Sequence, residues 1–234
     1  MSEFNHHHSS FDRVPLLARR HPSAFLFAAQ LLSLAFYALL DENTNGRILL
    51  SVFGIIVLVL VVLVIDHSRT VRWTTWVLVI PAIVLSLLSL VNDNPDIVAW
   101  SALLEALLYF YAAGSLIIYM MGDTRVTTDE LFAAGAAFTL LAWGFAFAYQ
   151  AIMIWSPGAF EGGAHPGQTQ TFVELLSLSF TNLTATGLGD IVAKTPPARV
   201  MVMLEQFAGI GYVATVVSRL IGLSIGRRRS KRAG

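Results

Sequence analysis

The segment TATGLGD, residues 184–190, places two glycines two positions apart and an aspartate directly after them in a strongly apolar chain. Gly187 and Gly189 can adopt a positive φ angle without steric cost. If alternate residues take left-handed conformations, successive main-chain oxygens point the same way. A row of such oxygens can replace the water shell of a monovalent cation. The chemistry expected of this segment is therefore ion coordination by the backbone.

Side-chain chemistry is sparse by comparison. The chain has no cysteine, which excludes disulfides, thiolate metal sites and thiol nucleophiles. No nucleophile–base pair and no metal-ligand cluster is recognisable, so we expect neither an enzyme nor a protein with a cofactor. Glu105 lies inside an apolar segment, where a carboxyl must face protein or water. Structural hydrogen bonding and proton sensing are both open for this residue.

The composition indicates a membrane protein. Hydrophobic residues make up 56% of the 234 residues and charged residues only 13%, whereas a soluble domain carries about 25% charged residues. We therefore expect membrane lipids as surroundings and no nucleic-acid partner. The histidines at positions 6–8 could be native or a remnant of a purification tag.

Six apolar runs are long enough to cross a bilayer, which takes about 20 residues in a helix. They comprise residues 22–40, 48–65, 73–91, 97–121, 131–155 and 199–225. The fifth run is rich in small residues, which let helix backbones approach closely.

A segment that fits no spanning helix separates the last two runs. Thr171 and Glu174 have the spacing of a capping box, which predicts a short helix over residues 172–182. Such a helix is about 16 Å long at 1.5 Å per residue, roughly half the thickness of a bilayer. We therefore expect the chain to enter the membrane here and leave on the same side.

Loop charges predict the orientation. Basic residues concentrate before the first run, between the second and third, after the fourth and at the C-terminus, so both termini are expected in the cytoplasm of a multi-pass cell-membrane protein. The expected domains are a cytoplasmic segment 1–21, a four-helix domain 22–121, a domain 131–225 and a basic tail 226–234. The tail, which contains RRRSKR, is expected to bind anionic lipid.

Residues 177–222 resemble the pore module of the tetrameric potassium-channel superfamily, and more closely its bacterial ion-transport type. The family's filter reads T-T-V-G-Y-G-D. The positions aligned with it, in chain order, are Thr184, Ala185, Thr186, Gly187, Leu188, Gly189 and Asp190.

The resemblance implies an all-α integral membrane fold with six transmembrane helices, a re-entrant pore helix and a selectivity-filter loop. It implies a homotetramer that conducts potassium passively, with K⁺ as permeant ion. Domain 131–225 then comprises an outer helix, the pore helix 172–182, the filter 184–190 and the inner helix 199–225. The main-chain oxygens implied to bind K⁺ belong to Ala185, Thr186, Gly187 and Leu188.

Three residues of the inner helix gain roles from the same resemblance. Gly209 lies where the family often has a hinge glycine, and Gly211 follows closely; close helix packing is the alternative for both. Glu205 is the candidate for support of the filter from behind. The fourth apolar run contains no arginine or lysine, so voltage gating by a charged fourth helix is not expected.

The filter departs from the family pattern in ways that leave alternatives open. Ala185 lacks the hydroxyl of the innermost site, and Leu188 replaces the usual tyrosine. Ser177 and Leu178 stand where many members have tryptophans. A weakly selective monovalent cation channel is therefore one alternative. A secondary transporter with a broken helix and a non-conducting interaction subunit are the others.

Overall fold

The computed structural model of the chain describes residues 22–39, 69–92, 94–122, 128–164, 167–219 and 221–222. The predicted second span, 48–65, and the predicted terminal segments 1–21 and 226–234 lie outside these residues. So do the histidines at positions 6–8 and the basic tail.

The described part consists of α-helices and one two-stranded ribbon. In chain order the elements are α1 (Pro22–Leu39), α2 (Arg69–Val91), α3 (Pro95–Gly122), α4 (Thr128–Trp155), β1 (Phe160–Gly162), α5 (Phe172–Leu183), β2 (Ile191–Ala193) and α6 (Pro196–Tyr212). One π-helical turn, Val213–Val217, continues α6.

Three helices among the described residues are long and apolar enough to cross a membrane. They are α3, α4 and the continuous segment Pro196–Val217. The helices α1 and α2 occupy the first and third predicted spans, and their apolar stretches are shorter. The chain is an all-α membrane protein in this part, and six crossings stay a prediction. Pro81 lies inside α2, whose helix is continuous from Arg69 to Val91.

Short local contacts explain where α3 begins. Pro95 is its first residue, a position where proline loses no helical hydrogen bond. The Asn94 side-chain oxygen accepts a hydrogen bond from the Asp96 amide at 3.0 Å. Asp96 also places negative charge at the positive end of the helix dipole.

Small residues of α4 allow its neighbours to pack closely. A Cβ atom on Gly135 would lie 2.9 Å from the ring of Phe27 in α1, and one on Gly144 would lie 2.8 Å from Phe110 in α3. The most extensive helix contact is that between α3 and α4, followed by contacts of α3 with α2 and of α4 with α1. Glycine at these two positions therefore makes room for aromatic rings of the neighbouring helices.

Polar contacts connect the helices at the end of the molecule where α4 begins. The Asp129 carboxylate accepts hydrogen bonds from the Ser23 amide at 3.2 Å and the Ser23 hydroxyl at 2.9 Å. Arg219 donates from Nη1 to the Met120 main-chain oxygen near the C-terminus of α3, and the same nitrogen lies 3.5 Å from the Met121 sulfur. A cation is favourable at a helix C-terminus, so Arg219 ties the far end of α6 to α3.

Glu105 has hydrogen-bond donors on both sides of the α2–α3 contact. Its Oε1 accepts from the Ser86 hydroxyl of α2 at 2.7 Å and lies 3.4 Å from the Ser101 hydroxyl of α3. Glu105 therefore has the hydrogen bonding that the structural interpretation requires, and proton sensing stays a prediction.

The candidate filter loop and the residues that hold it

The short helix α5 begins as the sequence predicts. Thr171 accepts a hydrogen bond from the Glu174 amide at 3.3 Å, and the Glu174 carboxylate accepts from the Thr171 amide at 2.8 Å. This capping box is therefore confirmed. The helix has 12 residues, one more than predicted, and is about 18 Å long.

The C-terminus of α5 passes directly into the filter loop, residues 184–190. The Ala185 amide donates to the Asn182 oxygen at 2.9 Å, and the Thr186 amide donates to the Thr181 oxygen at 3.0 Å. This pair of bonds is a Schellman motif, in which the residue after the C-cap is left-handed and usually glycine. Here that residue is Ala185, with a φ of 56°. The loop thus supplies the amides that the last carbonyls of α5 need.

The same bonds orient the carbonyl groups of the loop. The Gly187 amide also donates to the Thr181 oxygen, at 3.2 Å, and the described residues contain no cis peptide bond. Because N–H and C=O of a trans peptide point in opposite directions, the carbonyls of Thr184, Ala185 and Thr186 point away from α5. No hydrogen bond between described residues ends on the main-chain oxygens implied to bind K⁺ (Ala185, Thr186, Gly187 and Leu188).

The left-handed residues are two apart, but they are not the two glycines. Ala185 and Gly187 have positive φ angles, of 56° and 63°, whereas Gly189 does not. The alternation of left-handed residues is therefore present, but it falls on Ala185 and Gly187. A Cβ at Gly189 would lie 3.2 Å from the Thr181 hydroxyl. Close packing against α5 therefore favours a small residue at this position.

The rest of the filter loop is uncovered in the single chain. All residues from 184 to 190 are exposed, and the Leu188 side chain is 87% exposed. The Asp190 carboxylate makes no hydrogen bond to any residue that the structure describes. Within one chain, the side chains of Leu188 and Asp190 therefore do not fix the Asp190 end of the loop.

Glu205 of α6 is fully buried, with 0% exposure, and its support of the filter stays a prediction. Its two carboxyl oxygens contact the hydroxyls of Tyr149 from α4 and Ser179 from α5. The Asn182 amide nitrogen lies 3.5 Å from the Tyr149 hydroxyl. We call these four residues the buried carboxyl network; it connects α4, α5 and α6 immediately before the filter loop.

The hydrogens in this network can be counted. The Ser179 hydroxyl also contacts the main-chain oxygen of Ala142, at 2.8 Å, which makes three contacts between oxygens with those of Glu205. The hydroxyls of Tyr149 and Ser179 carry one hydrogen each. A protonated Glu205 that donates to Ser179 would give each of these contacts a hydrogen of its own, whereas an ionised Glu205 would share the Ser179 hydrogen with the Ala142 oxygen.

The two glycines proposed as hinges have different surroundings. A Cβ on Gly209 would overlap the main-chain oxygen of Leu183 and lie 2.8 Å from its carbonyl carbon. A Cβ on Gly211 would meet nothing within 4 Å among the described residues. Position 209 therefore requires glycine because α6 packs closely against the end of α5. A role of Gly209 as a hinge stays a prediction.

A ribbon follows the filter loop. Strand β2 begins directly after Asp190 and pairs antiparallel with β1, with Glu161 opposite Val192. Glu161 and Lys194 form an exposed ion pair at 2.7 Å. The hydrogen bond from Lys194, and secondarily its charge, lowers the pKa of the Glu161 carboxyl below its ordinary value of 4.5.

Sequence reasoning missed the partners of Glu205 and the ribbon. Tyr149 and Ser179 are 56 and 26 residues from Glu205, and no spacing rule connects them. A three-residue strand has too few positions to show an alternating pattern. The only available indication was the polar character of Ser179 and Asn182 in an otherwise apolar half-helix.

The family model Ion_trans_2, described as an ion channel, matches residues 106–223, which is half of the chain. It includes α4, α5, the filter loop and α6. No curated protein and no solved structure matches the chain significantly.

Proposed function

The chain belongs to the Ion_trans_2 family of ion channels, and we propose that it forms a potassium-conducting pore whose filter is the loop 184–190. Membership of this family makes it a membrane protein for passive ion conduction and not an enzyme. The transporter alternative loses its support for two reasons. The family conducts ions, and the proline inside α2, Pro81, does not break the helix as a transporter with a second broken helix would require.

The observation that carries the proposal is a run of main-chain oxygens, at the end of α5, that are left without hydrogen bonds. Four consecutive residues (Ala185 to Leu188) have main-chain oxygens that accept no hydrogen bond from the described residues. Two of these residues are left-handed and two positions apart. Oxygens of this kind replace the water of a monovalent cation, and the negative end of the α5 dipole favours a cation there.

One chain supplies only one side of such a site, and we propose a homotetramer. The filter loop is exposed along its whole length. Only 22% of the most apolar stretch of Pro196–Val217 is buried, against 61% for α4. The exposed apolar side chains on it recur every three or four residues: Val200, Met203, Leu204, Phe207, Ile210 and Val213. Copies of the chain around a common axis would cover this face and close the ring of oxygens.

A weakly selective cation channel is the second candidate, because of two residues. Ala185 offers no hydroxyl to the innermost site, and the Leu188 side chain is 87% exposed in the single chain. The carbonyls belong to the backbone, however, and are present whatever the side chains are. This favours a potassium pore, with K⁺ as the transported ion and not a cofactor.

We further propose a multi-pass protein of the cell membrane with both termini in the cytoplasm. The loop charges support this orientation, and it places the Asp190 end of the filter outside. The basic tail 226–234 is then positioned to bind anionic lipid of the inner leaflet.

The test is ion flux into liposomes that contain the purified protein. We expect K⁺ to run down its gradient without a co-substrate, Na⁺ to follow much more slowly, and Ba²⁺ to block. Gly187→Val should abolish the flux, because a β-branched residue is strained at a positive φ. Gly167→Val is the matched control, since Gly167 also has a positive φ, of 86°, and no neighbour within 4 Å. Absence of K⁺ flux in the unmodified protein would refute the proposal, and equal K⁺ and Na⁺ flux would favour the weakly selective channel.

A further inference from the structure

Strands β1 and β2 form a ribbon that joins the segment after α4 to the segment after the filter loop; we call it the connecting ribbon. Its pairs run from Phe160 opposite Ala193 to Gly162 opposite Ile191. One more main-chain bond extends it, from the Lys194 amide to the Ala159 oxygen at 2.8 Å. The ribbon therefore begins at the residue that follows Asp190.

The two main chains also meet at the Asp190 end of the filter loop. The Gly163 amide lies 3.4 Å from the Asp190 oxygen, which accepts its hydrogen bond. Gly162 has a φ of 111°, and a Cβ there would overlap the same oxygen and lie 3.1 Å from the Asp190 carbonyl carbon. Only glycine allows this contact.

The other contacts of the ribbon reach α5 and α6. The Ala164 amide donates to the Glu174 carboxylate at 2.8 Å, and this carboxylate also caps the N-terminus of α5. The Gln170 amide nitrogen donates to the Gly162 oxygen at 3.3 Å. On the opposite strand, Arg199 of α6 donates from Nε to the Ala193 oxygen at 3.2 Å.

The ribbon also packs against the buried carboxyl network. Phe160 is 5% exposed, and its ring packs edge-on against Tyr149 with 5.1 Å between the ring centroids. Tyr149 in turn contacts Glu205 in the buried carboxyl network. The ribbon is thus hydrogen-bonded to residues at the start of α5 and α6, and it packs against the buried carboxyl network.

We propose that the connecting ribbon positions the Asp190 end of the filter loop and thereby sets its ion selectivity. Within one chain, the side chains of Leu188 and Asp190 do not fix this end. The main-chain contacts at Gly162 and Gly163 do so instead. This inference rests on the proposed function, since it concerns the selectivity of the same loop.

Gly162→Ala tests the ribbon against the matched control Gly167→Ala. Both glycines have positive φ angles, 111° and 86°, but only a Cβ at 162 meets the filter end. The measurement is the K⁺/Na⁺ permeability ratio from reversal potentials in planar bilayers. We expect the ratio to fall several-fold in Gly162→Ala and to stay unchanged in Gly167→Ala. A role in stability alone would lower the number of channels and leave the ratio unchanged.

A second pair of variants decides the question if Gly162→Ala does not assemble. Glu161→Lys places two positive charges across the ribbon, and adding Lys194→Glu restores an ion pair of reversed polarity. An exposed ion pair contributes little to folding, so these proteins should assemble. We expect a lowered permeability ratio in Glu161→Lys and recovery in the double variant.

The outcomes separate the two proposals. If the unmodified protein passes no ions, the proposed function fails. If it is K⁺-selective and the assembled Gly162→Ala and Glu161→Lys variants keep its permeability ratio, the role of the ribbon is overturned and the proposed function stands.

Discussion

Replacement of Glu205 by glutamine and by alanine should have unequal effects, because the buried carboxyl network fits a protonated acid. In Glu205→Gln, the amide oxygen can accept from Tyr149 and the amide nitrogen can donate to Ser179. The second N–H of the glutamine amide then needs an acceptor, and the side-chain oxygen of Asn182 can rotate to accept its hydrogen bond. We expect a loss of about 1 kcal/mol per chain.

Glu205→Ala removes all of these contacts. Ser179 keeps its bond to the Ala142 oxygen, but the Tyr149 hydroxyl loses its acceptor in a buried site, which costs about 1–3 kcal/mol. The cavity left by the missing side chain adds to this loss. We expect about 3 kcal/mol or more per chain, a difference of at least about 2 kcal/mol from glutamine.

The assay is thermal unfolding of the purified protein in detergent, together with K⁺ flux in liposomes. Gln206→Ala is the control, because Gln206 is the exposed neighbour of Glu205 on α6. An ionised Glu205 would receive two charge-assisted hydrogen bonds, each worth about 1.5–3 kcal/mol, and glutamine could not replace them. Equal destabilisation by glutamine and alanine would therefore refute the protonated acid.

Three further predictions concern the filter loop and its neighbours. Ala185→Gly should raise the unfolding temperature, because a left-handed alanine is strained by about 1–2 kcal/mol, whereas Ala185→Thr should lower it; unchanged values for both would contradict the Schellman geometry. Gly209→Ala should reduce stability by about 2 kcal/mol or more through the overlap with α5, whereas Gly211→Ala, whose Cβ meets no described neighbour, should raise stability by up to about 1 kcal/mol, because alanine is the better helix former; if Gly209→Ala instead changes only the open probability, the hinge interpretation is right. Lys194→Met should raise the pKa of Glu161 toward 4.5 in a carboxyl titration by NMR; since the pKa is lowered in the folded protein, the stabilising pair is present at neutral pH and is lost as the pH falls through that pKa.

The local parts of the site could be predicted because short-range rules determine them. The capping box at Thr171 and Glu174 depends on residues three apart, and it placed the start of α5 correctly. The low charge content predicted membrane helices, and α3, α4 and α6 are found where apolar runs occur. In each case the residues that interact are neighbours in the sequence.

The contacts that hold the filter could not be predicted in the same way. Tyr149 and Glu205 meet only because α4 and α6 both pack against α5, and the ribbon brings Gly162 to Asp190 across a loop. The left-handed conformation of Ala185 was not predicted either: this residue takes the position that the end of α5 requires, although glycine would do so at lower cost. Tertiary contacts and the helix end decide these positions, and no local pattern encodes them.

The departures of this filter from the family pattern have a common physical explanation. An ion site made of carbonyl oxygens needs only that the backbone turns its oxygens outward and stays there. At one end, the amides of Ala185, Thr186 and Gly187 bind the last carbonyls of α5, which fixes the direction of the oxygens without any particular side chain. At the other end, we propose that main-chain contacts with the connecting ribbon take the place of the aromatic residues in the family pattern. On this proposal leucine at position 188 is compatible with conduction, because main-chain contacts and not side chains hold the loop.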